Sequence, residues 1–109
     1  MKNTTAKTKT MFIITEVLME THESDGTPRI YPTTRVFDDK EKRDKMFDSL
    51  IMKITKDAKE ADAEISLNIL GHPGMKSDSF RAYAIGFNHT MSWEVTREEV
   101  EVNPKELYS

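Results

Sequence analysis

One stretch of this sequence commits to a single secondary structure. From Asp38 to Ala61 the apolar residues follow a helical period. Met46, Phe47, Leu50, Ile51, Ile54, Ala58 and Ala61 fall within an arc of about 140° at about 100° per residue. Asp38 reads as the N-cap, with Glu41 three residues on completing a capping-box pattern. Lys53–Asp57 and Lys56–Glu60 are four-apart pairs on the wet side. Two residues depart from a plain amphipathic pattern. Arg43 falls on the apolar arc, where such a residue lays its stem along the core edge and keeps its head in water; anion binding is the alternative. Met52 points away from the arc, as an ordinary exposed residue or a small contact point.

On either side of the helix the period changes to two. Thr10 to Thr21 places Ile13, Val17 and Met19 on one face and Phe12, Ile14 and Leu18 on the other. Ser24-Asp25-Gly26-Thr27-Pro28 is a turn cluster, and a second strand runs from Arg29 to Phe37. Pro32 lacks a backbone donor, so this strand is expected at an edge or broken there. Past Asp62, Ile65, Leu67 and Ile69 alternate with Ser66 and Asn68. A strand fits better than a helix continuation, which would expose Leu67 and Leu70. Gly71-His72-Pro73-Gly74 breaks the chain. Phe80 to Phe87 is a strand, Asn88 to Thr90 a turn, and Met91 to Thr96 the pairing strand. Val100 and Val102 keep a strand period in the acidic tail.

The expected fold is α+β in the order β-β-α-β-β-β, a five-stranded, mostly antiparallel sheet with one amphipathic helix packed on one face. The 109 residues suit one domain, with 1–9 as a flexible leader, 10–103 as the domain and 104–109 as a C-terminal tail.

Widths then matter. Five strands about 4.8 Å apart make a sheet roughly 20–25 Å wide, whereas a helix is about 10–12 Å across. The small side chains of Ala82 and Ala84, with Gly86, place that face of their strand beneath Phe47, Leu50 and Ile54. The opposite face displays Tyr83, Ile85 and Phe87, and with them Phe12 and Ile14. A large apolar patch on a soluble chain marks an interface unless the chain's own segments fold over it. The candidate partner-binding residues are therefore Arg81, Tyr83, Ile85 and Phe87, Arg and Tyr being enriched at interface hot spots.

Other chemistry is harder to find. The net charge is −3 with the signs interspersed, so no basic stripe points to nucleic acid. Tyr83, Phe87 and Trp93 are aromatics on paired strands, but with Arg81 and Arg97 the only basic residues interleaved they read as a core or interface cluster rather than a base-stacking platform. Cysteine is absent, excluding disulfides and thiolate chemistry. The apolar run from Met11 to Ile14 is too short for a signal peptide or a membrane span, so a cytoplasmic setting without a membrane partner is expected. His22, His72 and His89 fall in three separate turns without metal-ligand spacing; the densest group, His22-Glu23 with Asp25, reads as a solvated hairpin tip. No nucleophile elbow or phosphate loop occurs. No catalytic residue, metal or cofactor is assigned.

The reading is a small, non-catalytic protein-binding module acting through an exposed sheet face or edge, on another protein or on a second copy as a homodimer. Its size suits an accessory or inhibitory protein of a bacterium or phage, although no residue carries that attribution. The alternative is a small enzyme or ligand-binding domain with a helix–sheet pocket, in which His72, Arg43 or His89 supplies polar groups.

Overall fold

The six expected elements form in the expected order. A computed structural model of the chain describes residues 8–22 and 26–103. It contains β1 (Lys9–His22), β2 (Arg29–Phe37), α1 (Lys40–Glu60), β3 (Ser66–Leu70), β4 (Ser79–Ile85) and β5 (His89–Val102). The first seven leader residues, Glu23 to Asp25 of the turn cluster and the tail 104–109 lie outside the described residues. Lys9, assigned to the leader, is instead the first residue of β1.

The strands make one sheet in the order β2-β1-β5-β4-β3, with every neighbouring pair antiparallel. Pro32 is accommodated because β2 is an edge strand. β2 and β3 occupy opposite edges, so the helix that joins them must traverse the sheet. The core forms under that crossing. Phe47, Ile51 and Ala58 are fully enclosed, with Ile54 and Leu50 nearly so. They pack with Phe80, Ala82 and Ala84 of β4, Trp93 and Val95 of β5, and Ile14 of β1.

Three local expectations change. The N-cap is Asp39 rather than Asp38: its backbone is extended, and its carboxylate accepts from the amides of Glu41 at 2.8 Å and Lys42 at 3.4 Å. Glu41 is then one position too early to reach back to the cap, and it pairs with Lys45 instead. The β4–β5 turn is also displaced. Strand β4 stops at Ile85, Gly86 N–H donates to the His89 carbonyl at 2.8 Å, and β5 starts at His89. The acidic segment with Val100 and Val102 continues β5, held against β1 through Met11 and Lys9.

The third change concerns Arg43, which is 4% exposed. Its head is not in water: Nε and Nη2 donate to Asp44 Oδ1 at 3.0 and 2.8 Å, and Nη1 donates to the Glu98 carbonyl at 2.9 Å. Asp44 Oδ1 also receives Arg97 Nη1 at 3.4 Å. The Arg97 guanidinium donates further to Asp78 Oδ1 and to the carbonyls of Met75 and Ser77, and lies 4.3 Å from the Phe47 ring centroid. Asp44 thus fills the place of an anion between two guanidiniums. The network ties the first turns of α1 to β5 and the β3–β4 loop. Arg97→Ala removes bonds from a charged group and unpairs partly enclosed acceptors. It is expected to cost about 2–4 kcal/mol, read as a lower urea midpoint. Arg97→Lys should restore only part of this, since an ammonium cannot reproduce the planar fork.

Gly86 has a specific steric reason. A side chain there would drive its Cβ into the carbonyl oxygen of Asp62, just beyond the helix. The close approach expected of this residue is therefore to the segment leaving the helix. Because that neighbour is backbone, Gly86→Ala should destabilise the domain by about 1–3 kcal/mol, checked by thermal unfolding.

Candidate functional site

Strand alternation and register assign every sheet residue to a face. The helix side takes Phe80, Ala82 and Ala84 of β4 with their partners Val95, Trp93 and Met91 on β5. Leu18, Glu16 and Ile14 of β1 oppose Trp93, Val95 and Arg97 and share that side. The open side therefore carries Arg81, Tyr83 and Ile85 of β4, and Ser92, Glu94 and Thr96 of β5. Ile13, Val17 and Met19 of β1 lie there too, with Ile30 and Val36 of β2 and Leu70 of β3.

This corrects the expected membership of the face in two ways. Phe12 and Ile14 belong to the helix side: Ile14 is fully buried, and Phe12 lies beneath the Arg43 guanidinium at 5.3 Å. Both faces of β1 are apolar at that end, and only its pairing with β5 decides which one meets the helix. Trp93 is also a core residue, 5% exposed, and faces away from Tyr83. The aromatics therefore form no single platform on the sheet.

Of the four candidate partner-binding residues, the sheet brings three together. Arg81, Tyr83 and Ile85 stand in one row on the open side. Arg81 Nε donates to Glu94 Oε2 at 2.8 Å across the β4–β5 pair. Val17, Met19, Tyr83 and Ser92 join that ion pair in lining a shallow depression of about 260 Å³. Phe87 is not in the row. It sits in the β4–β5 turn and is 70% exposed, an apolar knob at the end of the sheet.

Among the described residues no segment lies across this side. Ile30 and Val36 are more than half exposed, at 58% and 53%, and Leu70 is 55% exposed. At about 3.3 Å per residue and 4.8 Å between strands, the five strands present roughly 800 Å² on each face. That is about what one partner contributes to a standard stable interface. By register the charged residues on the open side are Lys9, Arg81, Glu94 and Glu98, with equal numbers of each sign.

The polar groups weighed for a helix–sheet pocket do not converge. Arg43 is engaged near Glu98, whereas His89 begins the same strand, roughly 30 Å away at about 3.3 Å per residue. His72 is in the β3–β4 loop, its Nδ1 2.9 Å from the Pro73 carbonyl. A groove of about 410 Å³ lies on the outer side of the helix between Met52, Lys56, Lys59 and Pro73, and includes none of the three.

One cluster escaped the sequence reading. His22 and His89 are cross-strand partners rather than residues of separate turns, and their rings stack with centroids 4.3 Å apart and planes 13° from parallel. Glu20, two residues before His22 on the same face, brings Oε2 within 3.6 Å of His22 Nε2. Only the β1–β5 register reveals this grouping, since 67 positions separate the histidines.

Comparison with models of known protein families, with curated proteins and with solved structures finds no match to this chain.

Proposed function

We propose that the chain is a small, non-catalytic protein-binding module whose open sheet face docks a second copy of itself. The observation that carries this reading is the uncovered face bearing Tyr83, Ile85, Val17, Ile13, Ile30 and Val36. Burying it is favourable at about 25 cal/mol per Å² of apolar surface, less the costs of association. A second copy fits for two reasons. The face has the area that one side of a stable interface requires, and its charges balance. In an isologous contact, Arg81 of one copy can approach Glu94 of its partner while the apolar rows oppose each other. The product is a four-layer α-β-β-α sandwich with sheets about 10 Å apart.

A cytoplasmic setting belongs to this proposal, supported by the absence of cysteine. No described helix is long and apolar enough to cross a membrane. Nucleic acid is a poor occupant because the open face has no excess of cations. Sedimentation velocity over a dilution series tests the reading: a dimer that dissociates on dilution supports it, and a monomer at every concentration overturns the self-docking claim.

A further inference from the structure

We infer that Glu20, His22 and His89 form a binding site for a divalent transition-metal ion of the zinc type. Three observations converge. The ligand atoms of these residues all lie within 4.8 Å of one another. Among the described residues His89 Nε2 has no hydrogen-bond partner, and it is shut off from solvent, an arrangement that costs about 1–3 kcal/mol when nothing satisfies it. Glu20 Oε2, at 3.6 Å from His22 Nε2, is close enough to share a cation yet too far to be a good hydrogen bond.

The scaffold suits the task. His22 and His89 are directly opposed on β1 and β5, and Glu20 follows from the period-two spacing of β1, so all three share the helix-side face. A tetrahedral ion with bonds of about 2.0–2.1 Å needs its ligand atoms about 3.4 Å apart. The parallel rings do not yet aim their lone pairs at one point. Closing the gap takes side-chain torsion changes, for which the soft, broadly populated ring torsion of histidine is suited. His22 has 37% of its side chain exposed.

Two imidazoles and one carboxylate select Zn²⁺, Ni²⁺ or Cu²⁺ over Mg²⁺ and Ca²⁺, which prefer all-oxygen shells. Three protein ligands leave a fourth position for water or an incoming group. The site is separate from the open face, so its test is independent of self-docking.

The experiment uses untagged, ¹⁵N-labelled chain and ZnCl₂, with MgCl₂ as control. Long-range imidazole spectra are expected to show the ring nitrogens of His22 and His89 shifting at one equivalent of zinc, with those of His72 unmoved. Calorimetry should give one ion per chain, and Glu20→Gln and His22→Ala should each weaken binding by about tenfold or more. Both residues sit near a strand end, and circular dichroism verifies that the variants fold. The spectra of the unmutated chain decide the question without them. Equal shifts at His72, binding weaker than about 100 μM, or unchanged affinity in His22→Ala would overturn the assignment.

Discussion

Ile54→Asp is expected to abolish the folded state. Ile54 is 1% exposed and sits in the middle of the helical arc, within the cluster formed by Phe47, Ile51, Ala58 and the alanines of β4. The substitution forfeits about 2–3 kcal/mol of apolar burial. It also forces a carboxyl group into a place without a hydrogen-bond partner, at a further cost of several kcal/mol. Stabilities of small domains run from about 5 to 15 kcal/mol, so the sum consumes most or all of the margin. Far-UV circular dichroism should show loss of helix and no cooperative thermal transition. Met52→Asp is the matched control: at 62% exposure it should change stability by no more than about 0.5 kcal/mol. A native-like spectrum for Ile54→Asp would mean that the helix does not pack on this face.

Ile85→Asp and Tyr83→Ala are expected to separate folding from association. Both residues lie on the side of β4 opposite the helix, so their replacement leaves the core of Phe80, Ala82 and Ala84 intact. In the proposed dimer, Ile85→Asp puts a charge into a contact between apolar rows, and Tyr83→Ala removes the aromatic wall of the Val17–Met19 depression. Hot-spot losses of about 2 kcal/mol or more correspond to at least a thirtyfold rise in dissociation constant. The sedimentation profile should move to monomer while the circular dichroism spectrum holds. A dimer undisturbed by both changes would place the contact elsewhere.

How much was legible follows from the kind of information each feature uses. The helix was readable because its buried arc is written in contiguous sequence, and Pro32 announced an edge or a break because the missing donor is local; the strand is an unbroken edge. Gly86 was assigned a close approach on size alone, but the approaching group, the Asp62 carbonyl, is set by the path of the chain after the helix. The N-cap slipped by one residue because Asp38 and Asp39 are chemically equivalent, and only the backbone conformation separates them. Which face of β1 meets the helix was unreadable, since Ile13 and Ile14 are identical in kind. Arg43 was placed correctly on the apolar arc, yet its partners Asp44 and Glu98 come from an adjacent position and a distant strand, and only the distant one needed the fold. The pairing of His22 with His89 depends wholly on register. Long-range pairing is thus what the sequence withheld, and it is what assembles both the open face and the histidine pair.

In the proposed dimer two copies meet sheet to sheet with their helices outermost. Because the chain has no cysteine, Met52→Cys gives a single attachment point for a spin label, on the outward side of the helix and away from the open face. Dipolar spectroscopy on this dimer is the most direct measurement. Two helices about 10–12 Å across, outside sheets about 10 Å apart, put the labels about 40 Å from each other. A distance distribution centred there agrees with the account. A distance under about 20 Å, the signature of helices packed 8–10 Å apart, would contradict it, as would a signal with no dipolar coupling between copies.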